Sequence, residues 1–161
     1  MSLAHHMGGH FAELAALSNF SFLHGASHPQ EMVYQAAAHG YSAIGVADRN
    51  TLSGVVRVHA AAREIGIRVL TGARLVTQCD FEVVVYPHDA AAYAALSQCL
   101  TLGNRRAVKG QCLLELDDIL SLADQAGFCW LIDPPRQADA RFRDHLARLA
   151  AASHHVYVLL V

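Results

Sequence analysis

The chain has 161 residues, 53% hydrophobic and 16% charged, with Lys+Arg 12 against Asp+Glu 14 for a formal charge of −2. A chain of this length supports one domain with a sizeable core, and so low a charge content argues against a chain disordered throughout. The near-neutral balance creates no broad field for phosphates, which argues against a stand-alone duplex-binding module. Four dispersed cysteines match no zinc knuckle, and the sequence shows neither the pattern of a leader peptide nor a membrane-length apolar run. The plain expectation is a reduced, cytoplasmic protein with no membrane contact.

Residues 1–10 carry His5, His6, Gly8, Gly9 and His10, and read as a disordered amino-terminal arm. Phe11 to Leu17 is a short apolar run, followed by Ser18-Asn19. Pro29 to His39 is a helix whose face is Met32, Val33, Ala36 and Ala37, with Gly40 as its stop. Ser42 to Ala47 is extended and ends at Asp48. Leu52 to Ile65 is helical again, with Val55, Val56, His59 and Ala62 at helical spacing. Ile67 to Leu70 is a strand that Gly72 breaks, and Ala73 to Thr77 resumes extended structure.

Phe81 to Tyr86 is β-prone, with three consecutive valines. Ala90 to Leu102 is an alanine-rich helix capped at Asp89 and ended by Gly103. Asn104 to Gly110 is the dense basic stretch, expected in a turn. A helix starts at Leu116-Asp117-Asp118, a strand covers Phe128 to Ile132, and Asp139 to Ala152 is helical. Val156 to Val161 reads as a central strand with neighbours on both sides, which makes residues 11–161 one domain truncated at its carboxyl end. Short strands apolar on both faces, separated by helices or turns, predict an α/β fold with a mostly parallel sheet.

Eleven histidines invite a metal reading. The candidates for chemistry are Glu13, His24, His28, Asp48, His59, His88, Asp133, His145, His154 and His155, but their spacing does not gather ligands at strand tips. Asp48 is followed by Arg49, and Gly72-Ala73 by Arg74; a guanidinium at either place repels a cation. His59 is expected as a semi-buried helix histidine. No HExxH, GxSxG or GxxxxGK[ST] occurs, which excludes a zincin, a typical esterase and a P-loop ATPase.

The segment from Phe11 to Pro29, then Asp48 to His59, Gly72-Ala73-Arg74-Leu75, Val85-Tyr86-Pro87, Leu102 to Arg106, Lys109-Gly110 and Leu116-Asp117-Asp118 carry a family resemblance. In order and spacing they resemble the PHP (polymerase and histidinol phosphatase) domain at the amino terminus of C-family bacterial DNA polymerases, closest to the error-prone branch. The resemblance implies a PHP-like irregular TIM-type barrel, here incomplete, with outer helices. Metal-competent members hold three metals at the strand tips. The positions matching their His-x-His motif are Ala15 and Leu17; Arg49 stands where a histidine follows the aspartate, and Arg74 where a glutamate is usual. Of that ligand set only Asp48 survives.

From this follow no catalytic residue, no cofactor site and no metal site in this chain. Asp48 is expected to be structural, bonded to the Arg49-Asn50-Thr51 turn or to an arginine, while Arg49 and Arg74 pair with acids. The implied parent is a damage-tolerant, error-prone polymerase acting in DNA replication and repair, with magnesium on palm aspartates outside this chain. The implied partners are that polymerase core, DNA through the parent, and other damage-tolerance proteins. The role expected here is a non-catalytic scaffold. The alternatives are an independent metal-dependent PHP-type phosphoesterase, or a nucleic-acid contact module through Arg105, Arg106 and Lys109.

Overall fold

The computed structural model describes residues 11–159. The expected arm at residues 1–10, and Leu160 and Val161 at the other end, lie outside the described residues. Six strands and five helices follow one another: β1 (Ala12–Ala16), α1 (Pro29–Ala38), β2 (Ala43–Arg49), α2 (Val55–Ile65), β3 (Arg68–Val76), β4 (Glu82–Pro87), α3 (Ala90–Arg106), α4 (Leu116–Ala123), β5 (Phe128–Ile132), α5 (Ala140–Ala152) and β6 (Val156–Val158). The strands lie in the sheet in chain order. β1, β2 and β3 are mutually parallel, β4 is antiparallel to β3 and β5, and β6 is parallel to β5. The result is the expected mostly parallel α/β sheet, curled into a half-barrel.

Helices cover the outer face. Val33 and Ala36 of α1 and Val58, Ala61 and Ala62 of α2 pack on Ile44 and Val46. The larger cluster joins Leu96, Ile119 and Leu149 of the later helices to Leu75, Val83, Val85, Trp130 and Ile132. Caps fix two of these helices: Asp89 accepts from the Ala92 amide at 2.8 Å and Asp139 from the Phe142 amide at 2.7 Å.

The inner face carries Ala47, Val84, Tyr86 and Leu131, with Leu14, Leu70, Cys129 and Leu159 against them. Tyr86 bridges the curled sheet: its hydroxyl reaches from β4 to donate to the Leu14 carbonyl of β1 at 2.8 Å. Burial pushes the Tyr86 phenol above its ordinary range, so the hydroxyl stays a donor. Glycine makes room for it: a Cβ at Gly45 would lie 2.4 Å from the Tyr86 oxygen, and one at Gly72 2.1 Å from the Val85 carbonyl oxygen.

Four local expectations are corrected. Gly72 does not break β3, which runs through it; the glycine marks a close approach of strands, not a stop. Gly103 does not end α3, which continues one turn to Arg106. The loop after α3 crosses the helix there, and a Cβ on Gly103 would meet the Cys112 sulfur at 2.6 Å. Arg105 and Arg106 therefore lie on helix, not in a turn. The buried stripe of α2 is Val58, Ala61 and Ala62, which leaves Val56 and His59 exposed. Among the described residues β6 pairs with β5, and its Tyr157 and Val158 are exposed.

Candidate functional site at the strand ends

Register brings five charged residues to one rim. Asp48 and Arg49 end β2, and Arg49 stands opposite Arg74 on β3. Because β4 returns antiparallel, its first residue, Glu82, pairs with Val76 at the carboxyl end of β3. β5 runs back toward the same rim, and Asp133 follows its last residue. Successive side chains of a strand point to opposite faces, so Asp48 and Arg49 separate although adjacent in sequence.

Asp48 is buried on the side of the β1–α1 loop. Its Oδ1 accepts from the Ser18 amide at 2.8 Å and from the Ser21 hydroxyl at 2.6 Å, and its Oδ2 accepts from the Ser18 hydroxyl at 2.7 Å. No bond reaches it from the Arg49-Asn50-Thr51 turn, and no arginine pairs with it, which corrects the partners expected from the sequence. That turn is held otherwise. The Arg49 amide donates to Ser21 Oγ at 3.0 Å, and Asn50, at φ 50°, exchanges two bonds with the Val76 backbone at 3.0 and 2.8 Å. The serines that matter, 27 and 30 residues before Asp48, carried no metal or nucleophile signature, which is why sequence reasoning passed over them.

On the inner side the arginines pair with acids, as expected. Arg49 Nη1 lies 2.6 Å from Glu82 Oε1, and Arg74 Nη1 lies 3.4 Å from Glu82 Oε2 and 3.7 Å from Asp133 Oδ2. Glu82, which the sequence had not singled out, is the hub. Arg74 is the most enclosed member, with its side chain 9% exposed and its Nε buried without a partner. Two cations and two carboxylates leave this inner lattice formally neutral. Desolvation offsets much of their attraction, so the lattice fixes geometry more than it adds stability.

This donor set does not fit the trinuclear cluster that the resemblance implies. Guanidinium groups occupy two ligand positions, and Asp48 spends both oxygens on Ser18 and Ser21 facing away from Arg49. Among the described residues, no group of three or more His, Cys, Asp and Glu side chains is placed to hold a metal ion. Glu13 instead accepts from the Ala15 amide at 2.8 Å. His28 exchanges a 2.9 Å bond with Asn19 and holds the α1 entry, its amide donating to Glu31 at 2.8 Å. His145 stacks edge-on to Phe81, and the rings of His88 and His155 lie 6.3 Å apart. His24, His59 and His154 are exposed. His59 is thus not the semi-buried residue expected. Burial pushes the Cys99 thiol up to about 11 and raises Cys112 and Cys129 as well, which suits packing rather than nucleophilic attack.

The curled α/β sheet with its strand-end rim defines the class: residues 13–155 match the model of the PHP domain, and the chain belongs to that family. Its sequence is 47% identical over 145 residues to an error-prone DNA polymerase of Caulobacter vibrioides, covering 87% of this chain and 13% of that protein. An error-prone DNA polymerase of Brucella abortus is 47% identical over 149 residues, covering 89% of this chain and 14% of that one. The chain thus spans about one seventh of the length of these relatives. In fold it is similar to an amidohydrolase from Chromobacterium violaceum, with a TM-score of 0.70 at 16% identity, covering 91% of this chain and 75% of that one.

Proposed function

We propose that this chain is the non-catalytic PHP portion of an error-prone, damage-tolerant DNA polymerase, and that it serves as a scaffold for the polymerase core. The observation that carries the reading is the Arg49–Glu82–Arg74–Asp133 lattice at the strand ends. Where metal-competent relatives would polarise a phosphate and activate water, this rim offers guanidinium groups and carboxylates already engaged with them. It ties four strands, β2 to β5, together at the rim without metal. The identity to error-prone polymerases supports the parent enzyme, which would act on DNA in replication and repair of damage; synthesis and magnesium chemistry then belong to the portion outside this chain. A cytoplasmic location and association with other damage-tolerance proteins complete the reading.

Two measurements test it. Metal analysis after dialysis against Zn2+ or Mn2+ should find well below one equivalent per chain, with no hydrolysis of a phosphomonoester or of DNA ends. Stoichiometric metal, or metal-dependent hydrolysis, overturns the non-catalytic reading. For the scaffold role, deleting the matching region from the full-length Caulobacter vibrioides relative should lower the thermal stability of its polymerase activity. Unchanged stability overturns that role.

A further inference from the structure

A cleft of about 500 Å3 opens beside the rim, lined by three separate parts of the chain. Phe20 comes from the β1–α1 loop, Arg49, Asn50 and Thr51 from the end of β2, and Asn104 with Lys109 and Gln111 from the end of α3 and the loop after it. No carboxylate is among its lining residues, and two cations are. Arg49 spends Nη1 on Glu82. Lys109 has no acid within ion-pair distance among the described residues. Phe20 is steadied from the outside, with the Arg57 guanidinium carbon 5.7 Å over its ring.

We propose that this cleft binds a nucleotide unit, its phosphate against Lys109 and Arg49 and its base against Phe20. A plain anion site needs no aromatic wall, and an apolar ligand would not call for two cations without carboxylates. A cationic groove with a ring for stacking is the chemistry of single-strand recognition. The free amide groups of Asn104 and Gln111 present both donors and acceptors to a base edge. Arg106 takes no part, because it is paired with Asp118, and Arg105 lies outside the lining. The site is therefore distinct from a diffuse Arg105-Arg106-Lys109 patch. It rests on the metal-free reading only through the placement of Arg49.

The test is fluorescence anisotropy with a labelled oligothymidylate of about 12 nucleotides, at low salt and in EDTA, so that metal binding at the rim cannot mimic the result. Saturable binding is expected, weakened about tenfold by Phe20→Leu. Lys109→Ala should weaken it about fivefold and reduce the logarithmic salt slope by about 0.7. Arg105→Ala should leave it unchanged. Lys109 is exposed, so its variant keeps the test decisive if Phe20→Leu disturbs folding. Competition by thymidine triphosphate as effective as by unlabelled strand assigns the nucleotide unit to a free nucleotide; preference for strand assigns it to single-stranded DNA. Absence of saturable binding, equal displacement by inorganic phosphate, equal affinity for duplex, or an Arg105→Ala loss matching that of Lys109→Ala overturns the proposal.

Discussion

Asp48 and Arg49 are neighbours in sequence and belong to different regions of the molecule. Asp48 faces the β1–α1 loop, is 3% exposed, and satisfies three donors from two serines. Arg49 faces the inner rim, with its side chain 24% exposed, and shares Glu82 with Arg74. The first region is a buried anion solvated by neutral groups, whose hydroxyls in turn accept from the Phe20 and Arg49 amides. The second is an ion lattice in which each member has water or another partner within reach. A buried acceptor cannot be removed without orphaning its donors, whereas a wet ion pair exchanges protein for solvent at little cost. The same rim therefore combines a buried, fully bonded anchor outside with a part-exposed ion lattice inside.

The largest effect should come from the outer region. Asp48→Ala strands the Ser18 amide and two hydroxyls in a buried site, and should lower unfolding free energy by about 3 kcal/mol. Asp48→Asn keeps one acceptor oxygen and should cost about half as much. Urea denaturation of the two variants beside the parent measures both. Equal stability of all three would erase the contrast with Arg49.

In the inner region Glu82→Ala should cost about 1–2 kcal/mol, because it leaves Arg49 and the enclosed Arg74 without their shared acid. Arg74→Met should be milder, near neutral, since an apolar chain of similar volume avoids burying the unpartnered Nε. Thermal unfolding of both variants at low and high salt tests the difference. A larger loss for Arg74→Met than for Glu82→Ala would make the arginine, not the glutamate, the hub.

The split between these regions explains what could be read in advance. The strands, the helices and the arginines at strand ends are local properties, and β5 falls where its apolar run begins and ends. The partners of Asp48 are not local: Ser18 and Ser21 reach it only once β1 and β2 are paired in register. Glu82 carries no motif, and only the antiparallel return of β4 brings it to the end of β3. Gly72 and Gly103 mislead for a related reason. In isolation a glycine signals a stop, yet here each admits a tyrosine or a crossing loop from elsewhere in the chain. Position along a strand was legible; what stands across from it required the register.

The smallest effect, and the one that sharpens the contrast, lies away from the rim at Arg106 and Asp118. This pair ties the end of α3 to the first turn of α4, where Asp118 also accepts from the Glu115 amide at 2.9 Å. Burial by itself raises the Asp118 carboxyl, but the hydrogen bonds from Arg106 and the Glu115 amide, with the charge of Arg106, outweigh it and hold the group below the ordinary carboxylate value. The unfolded chain then binds the proton first as pH falls. The stabilisation is therefore present above the unfolded value and is lost as pH drops through the lower folded one. Arg106 is well exposed, so solvent screens the pair and the loss at neutral pH should be slight. Asp118→Asn should accordingly leave stability near pH 7 almost unchanged while flattening its decline in the acid range. A denaturation series from neutral pH into that range, on the variant and the parent, reads this directly; parallel curves would mean that Asp118 does not titrate differently in the folded chain, and that this exposed pair contributes nothing that water does not.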